Sequence, residues 1–208
     1  GYDASLQTVH WSRRRDPSPR DWHNVVFELA GTGPRAREVI VVGAHYDAVP
    51  TTPGADDNAS GVAALMEIAR VLKAWGPHQR TVRFVLFTLE EGPLAGSRQY
   101  AQALKDEVDA KKVEVVLMLS LEMLGFYSQE PASQRNPFKH VPGAPQRDVA
   151  DFVALCGHSR DAAGVSALAR AMKAAQPAVE VVEVAAFPNE QIPMMPPDLL
   201  RSDHAPFI

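Results

Sequence analysis

An unbroken run of apolar, mostly β-branched residues over positions 39–44 (Val-Ile-Val-Val-Gly-Ala) constrains the fold of this chain more than any other feature. Such a run predicts a strand that is buried on both faces, as in a parallel sheet. The strand ends at His45, and the carboxyl ends of parallel strands are where open α/β sheets bind their ligands. Asp47 lies two positions further on, where it can take the second ring N–H of His45 and fix the tautomer.

A second polar motif follows after a short loop and reads Asp56-Asp57-Asn58-Ala-Ser60-Gly61. Positions 62–75 then show the apolar spacing of a helix, so the motif is predicted to lie at a helix N-terminus. Asp57 and Asn58 could act there only as a helix cap. The His-x-Asp pattern at the preceding strand end favours a functional site instead.

The remaining pattern alternates strands with helices, which predicts a single α/β domain with a parallel or mixed sheet. The predicted strands cover residues 4–11, 23–30, 39–45, 81–89, 113–121, 152–156 and 179–186, and the predicted helices cover 61–75, 94–105 and 162–175. Residues 12–21 are predicted to form a charged turn, 125–147 a loop that covers the site, and 188–197 a proline-rich loop. A further strand and helix would normally complete such a sheet, so the chain is expected to be truncated at both ends.

Three successive core strands are predicted to end in polar groups, namely His45, the pair Glu90-Glu91, and Glu122. Parallel strands bring these ends together, so the groups should converge with Asp57 in one cleft. Four clustered carboxylates would repel one another and lose hydration unless cations neutralise them. Nitrogen and oxygen ligands without thiolate suit two zinc ions bridged by Asp57, with manganese or cobalt as alternatives. One glutamate of the adjacent pair could then ligate while the other accepts a proton.

Composition excludes several classes of partner and site. The chain has 21 basic and 25 acidic residues and a net charge of −4, which argues against nucleic acid or an anionic membrane surface as a partner. Its single cysteine, Cys156, excludes an intrachain disulfide and a cysteine-rich metal site. No long apolar run or signal-peptide pattern indicates membrane contact. Five further histidines are expected in turns or at exposed ends: His10, His23, His78, His140 and His158.

Five motifs together resemble metallopeptidase family twenty-eight in order and spacing. They are Gly43-Ala-His45-Tyr-Asp47, Ala55-Asp-Asp57-Asn-Ala-Ser-Gly61, Phe87-Thr-Leu-Glu90-Glu91 with Gly96-Ser97, Leu121-Glu122-Met123-Leu-Gly125, and Ser202-Asp203-His204-Ala-Pro-Phe207. That family includes bacterial di-zinc aminopeptidases, and its relatives include glutamate carboxypeptidase, the transferrin receptor and glutaminyl cyclase. The resemblance implies a three-layer α/β/α sandwich with a mixed, mostly parallel central sheet, here a domain 1–208 that lacks its C-terminal strand and helix.

The resemblance also implies a role for each matched position. It gives His45 and Glu122 as ligands of a first metal, Asp57 as the bridge, Glu91 as a ligand of a second metal, Asp47 as the partner of His45, and Glu90 as the general base. Asp203 and His204 are implied to support the substrate end of the cleft. The family's last metal ligand is a histidine downstream of the Ser-Asp-His motif, beyond the end of this chain. His204 could replace it on chemical grounds, but it aligns with a motif that supports the site and does not ligate a metal.

The implied activity is that of an aminopeptidase that uses two divalent metal ions, zinc above all, on peptide substrates in a secreted or periplasmic setting. Two alternatives stay open. A glutaminyl-cyclase-like acyltransferase would share the scaffold but use one zinc ion, and a non-catalytic relative would keep the fold only for binding.

Overall fold

A computed structural model of the chain describes residues 1–13, 16–136, 147–187 and 201–207. Seven strands and three α-helices lie within these residues: β1 (Ala4–Arg13), β2 (Asp16–Leu29), β3 (Glu38–His45), α1 (Gly61–Trp75), β4 (Thr81–Phe87), α2 (Ala95–Asp109), β5 (Glu114–Ser120), β6 (Phe152–His158), α3 (Ala162–Ala175) and β7 (Glu180–Phe187). The chain divides into two compact units, the first comprising Gly1–Gly125 with Arg201–Ile208 and the second Phe126–Leu200.

The first unit is built on a five-stranded mixed sheet in the order β1-β2-β4-β3-β5. The pairs β1–β2 and β2–β4 are antiparallel, whereas β3 runs parallel to both β4 and β5. His45 lies opposite Phe87, and Gly43 lies opposite Ser120. The carboxyl ends of β3, β4 and β5 therefore meet at one edge of the sheet, as the strand pattern predicted.

Helices cover both faces of this sheet, because alternate residues of its central strands point to opposite sides. On one face, a buried cluster joins β3 and β4 to α1 through Val42, Ala44, Phe84, Leu65 and Ala69. On the other, a second cluster joins the same strands to α2 through Val39, Val41, Val85, Tyr100 and Leu104. The predicted α/β fold with a mixed sheet and helices on both faces is thus confirmed.

The second unit contains a βαβ motif. Strands β6 and β7 pair in parallel, and α3 connects them. Ala169 of α3 and the valines 181, 182 and 184 of β7 are buried. The predicted loop at 125–136 has neither helix nor strand, while 137–146 and the proline-rich loop 188–197 lie outside the described residues.

The predicted turn at residues 12–21 is wrong, because β1 and β2 continue through most of it. Among the described residues, strand β2 pairs with β4 only over residues 25–29, so its earlier part has a described neighbour on one side only. Prolines at 17 and 19 are compatible with a strand there because their missing N–H groups can face the unpaired side.

The expected placement of the other histidines also needs correction. His10 lies in β1, His23 in β2 and His158 at the end of β6, where it is buried, and His140 lies outside the described residues. Among the described helices, none combines the length and hydropathy needed to cross a bilayer.

Candidate metal centre and active site

His45 is the centre of a cluster of polar groups at the carboxyl edge of the sheet. The apolar run of β3 places it in the interior, where it is 1% exposed. Its Nε2 lies 2.9 Å from Glu122 Oε1 and 3.1 Å from Asp57 Oδ1. Ligand atoms of these three residues all lie within 4.8 Å of one another, and in the described part of the chain they are the one group of three that could hold a metal ion.

Asn58 fixes the position of Asp57 relative to Glu122. Its Nδ2 donates to the carbonyl of Leu121 at 2.9 Å, while its Oδ1 accepts from the backbone N–H groups of Gly61 and Met123 at 3.1 and 3.2 Å. A side chain at Gly61 would place its Cβ 2.3 Å from Asn58 Oδ1, so only glycine allows this approach. Asn58 therefore caps α1, as the helix-cap interpretation of this motif predicted. It also connects the turn before α1 to the end of β5. The peptide bond between Asp57 and Asn58 is cis.

Ser202 holds the other oxygen of the Glu122 carboxylate. Its hydroxyl donates to Glu122 Oε2 at 2.8 Å and lies 3.2 Å from the hydroxyl of Ser120. The Ser202-Asp203-His204 motif thus contributes its serine directly to the cluster. Sequence reasoning had assigned a role to Asp203 and His204 but none to Ser202.

Asp47 organises both His45 and the Glu90-Glu91 pair. The closest partner of His45 Nδ1 is the backbone carbonyl of Asp47 at 3.1 Å, and the Asp47 carboxylate follows at 3.5 Å. The same carboxylate accepts the backbone N–H groups of Glu90 and Glu91 at 3.1 and 3.2 Å. Burial alone would raise the pKa of Asp47, but the contact with His45 and these backbone donors outweigh it and lower the pKa.

Glu90 and Glu91 occupy different environments. The Glu90 side chain is buried, and its Oε2 lies 3.9 Å from His45 Nε2. Burial, opposed by His45 but supported by nearby carboxylates, raises the pKa of Glu90 to about 8. Glu91 is more exposed and accepts the Val49 N–H at 3.2 Å, and burial together with the charge of Asp57 raises its pKa.

Asp203 and His204 contribute unequally. Asp203 is fully buried beside Ser97, and burial is the main cause that raises its pKa to about 7. It also interacts electrostatically with Glu90, His45, Glu122 and Asp47. His204 is half-buried and, within the described residues, is not part of the group of three ligands.

The donor chemistry of the cluster fits a divalent cation. One imidazole nitrogen and two carboxylate oxygens converge, and imidazole with carboxylate is a ligand set that zinc uses. Burial and the neighbouring Glu122 charge raise the pKa of Asp57, which reflects crowded carboxylates that a cation would relieve. Burial would lower the pKa of His45, but hydrogen bonds to Asp47 and Glu122 raise it to about 11, so a bound metal ion would replace a proton there.

Residues 24–208 match Peptidase family M28.

Two relatives compared by sequence are longer than this chain. YfbL of Escherichia coli (strain K12), named as an uncharacterized protein, is 37% identical over 158 residues, which cover 71% of this chain and 47% of that protein. Aminopeptidase YwaD of Bacillus subtilis (strain 168) is 42% identical over 97 residues, which cover 47% of this chain and 20% of that protein. The chain thus spans less than half the length of these relatives.

Two solved structures share the fold. BSAP, a zinc aminopeptidase from Bacillus subtilis, superposes with a TM-score of 0.63 at 26% identity over 91% of this chain and 38% of its own. A glutaminyl cyclase from an Acidobacteriales bacterium superposes with a TM-score of 0.61 at 18% identity over 98% of this chain and 60% of its own. At that lower identity the likeness concerns the fold alone.

Proposed function

The chain belongs to Peptidase family M28, and on that premise we propose that it is the catalytic part of a metal-dependent aminopeptidase that removes N-terminal residues from peptides. The observation that carries the proposal is the convergence of His45, Asp57 and Glu122 beside the buried Glu90. The aminopeptidase names of YwaD and BSAP support the choice of substrate end.

The metal roles follow from the donor atoms. His45, Asp57 and Glu122 would hold one divalent ion, and Asp57 with Glu91 would contribute to a second. When bound, such ions act as Lewis acids on the scissile carbonyl and acidify the attacking water. The ligand chemistry favours zinc, and the similarity to the zinc aminopeptidase BSAP supports that choice.

Glu90 would carry the proton. It would accept a proton from the attacking water and deliver it to the leaving amine, a task that needs a group with a pKa near the working pH. Its raised pKa of about 8 comes mainly from burial, and the Asp47 carboxylate holds its backbone in place through the N–H bond. Asp203 and His204 would support the substrate end of the cleft.

A glutaminyl-cyclase-like acyl transfer is the second candidate. It is favoured by one specific observation, that the described residues assemble only one three-ligand group. Such an enzyme would need one zinc ion and would act on N-terminal glutamine without hydrolysing a peptide bond. A non-catalytic binding protein would be expected to lack the base or a ligand, whereas His45, Asp57, Glu90 and Glu122 are all in place.

The test uses the full-length protein and its E90Q variant, with E67Q as the matched control. Glu67 is an exposed acid on α1 that pairs with Arg70 and does not belong to the site. After dialysis against zinc, we expect hydrolysis of a leucine anilide by the wild type and E67Q, and a loss of kcat of about 100- to 10,000-fold in E90Q with the metal content retained.

Three other outcomes decide against the proposal. Cyclisation of a glutaminyl peptide without anilide hydrolysis would establish the acyltransferase. Zinc binding without either reaction would identify a binding protein. Equal activity of E90Q and E67Q would remove Glu90 from the chemistry.

A further inference from the structure

We propose that Asn24, a residue of β2 outside the metal cluster, is a positioning residue for Glu90 and Glu91. This inference rests on the proposed function, because the position of these two glutamates matters only if they act in catalysis or metal binding. Asn24 is completely buried, and its side chain bonds to both ends of the segment that carries the glutamates. No sequence motif singled it out.

The hydrogen bonds of Asn24 close the base of the 89–95 segment. Its Oδ1 accepts the backbone N–H of Thr88 at 3.1 Å, and its Nδ2 donates to the carbonyl of Gly96 at 2.9 Å and to Gln7 Oε1 at 2.8 Å. The N–H of Gly96 in turn donates to the carbonyl of Thr88 at 3.1 Å. Thr88 and Gly96 are therefore joined directly and also through one buried amide.

The location explains why an amide is needed. Strands β2 and β4 pair from Leu29 opposite Val82 up to Val25 opposite Leu86, and β4 ends at Phe87. Thr88 is the residue at which the chain leaves the sheet, so its buried N–H has no strand partner in β2. The side chain of Asn24 supplies that partner, because a buried backbone N–H without a hydrogen bond is costly.

Gly96 allows this close approach. A side chain at that position would place its Cβ 2.4 Å from Asn24 Oδ1 and 2.3 Å from the Thr88 carbonyl oxygen. The glycine of the Gly96-Ser97 motif thus has a physical role, which is to let the start of α2 contact Asn24 and Thr88.

The segment closed by Asn24 has a strained backbone. Leu89, next to Glu90, and Leu94 both adopt positive φ angles, 57° and 53°. Leucine rarely adopts this conformation, which persists only where the surroundings impose it. Asn24 holds the base of the segment, and Asp47 holds its top through the N–H groups of Glu90 and Glu91. Loss of Asn24 would let the segment relax and displace both carboxylates without removing either.

The test compares N24L with V82A in the full-length protein. Leucine is close to asparagine in size but cannot bond to Thr88 or Gly96. Val82 is a buried residue near the opposite end of β4, so V82A reports the effect of a core defect that is remote from the segment. Amide hydrogen exchange of peptides covering 88–96 is measured without metal, followed by the zinc dissociation constant and then kcat and KM on a leucine anilide.

For N24L we expect exchange over 88–96 at least about tenfold faster than in V82A, weaker zinc binding, and kcat reduced about 10- to 100-fold with KM nearly unchanged, because a shift of about 1 Å at a catalytic group has that effect. If N24L does not fold, N24A takes its place, since it also removes the bonds to Thr88 and Gly96, and the same results are expected.

Exchange, zinc affinity and kcat that match V82A would overturn the role of Asn24. An inactive wild type would refute the proposed function instead. Hydrogen exchange and zinc affinity would then still decide whether Asn24 positions the segment.

Discussion

Two buried histidines at the ends of parallel strands have opposite surroundings. His45 ends β3 in the first unit and is 1% exposed, and His158 ends β6 in the second unit and is 5% exposed. Four carboxylates lie within 4 Å of the ring nitrogens of His45, those of Asp47, Asp57, Glu90 and Glu122. Neither ring nitrogen of His158 has a hydrogen-bond partner among the described residues.

The difference shows that a strand-terminal histidine is not by itself a site. His45 has acidic partners because the turn before α1 and the ends of β4 and β5 each bring a carboxylate to the same edge. At the end of β6, no described residue supplies a hydrogen-bond partner to the ring of His158. Convergence of acids from neighbouring elements therefore separates a metal-site candidate from a buried polar residue.

The largest expected effect comes from removing each histidine in turn. H45A deletes the nitrogen ligand, so its zinc affinity should fall more than about 100-fold, beyond the loss typical of a residue that only supports a ligand. H158A should bind zinc like the wild type. Equilibrium dialysis of the full-length variants measures both, and similar losses in the two would remove the distinction between them.

A smaller effect is expected from S202A, because Ser202 supports a proposed ligand and is not a ligand itself. Loss of the hydrogen bond to Glu122 Oε2 frees that carboxylate to rotate, so zinc affinity should fall about 10- to 100-fold. The matched control is S166A, which removes a serine–glutamate bond to Glu183 in the second unit. An affinity of S202A equal to that of S166A would show that Ser202 does not position Glu122.

The smallest effect concerns His158 alone. H158L replaces a buried imidazole whose nitrogens have no hydrogen-bond partner in the described part of the chain, and such groups cost about 1–3 kcal/mol. The free energy of unfolding should therefore rise or stay unchanged, as measured by urea denaturation of the metal-free protein, and zinc affinity should not change. A clear loss of stability would indicate that His158 makes a contact that the described residues do not include.

The sequence predicted the strand and helix that carry the site better than the long-range contacts that support its residues. The β-branched run and the helical spacing after Gly61 located β3, α1 and His45, because both signals are local. Ser202 lies 80 residues from Glu122, and Asn24 lies 64 residues from Thr88. Such contacts depend on the tertiary fold, so the motif that contains Ser202 did not indicate its bond to Glu122, and Asn24 lay outside every motif.

The burial of His158 is another feature that the sequence did not predict. Its position after an apolar stretch resembles that of His45, yet the prediction placed it at an exposed end. Its burial depends on how β6, α3 and β7 pack against each other, which periodicity does not specify. For the first unit, the strand ends were sufficient because three parallel strands were each followed by a recognisable polar group.

The most direct test of the central claim is calorimetric titration of zinc into the metal-free full-length protein at pH 7 in two buffers that differ in ionisation enthalpy. The pKa of His45, raised to about 11 by its acidic neighbours, means that the ring carries a proton that a metal ion must displace. We predict tight binding with release of at least one proton per first zinc ion, and loss of that release in H45A. Weak binding, or binding of the same strength in H45A, would contradict the assignment of this edge of the sheet as a metal site.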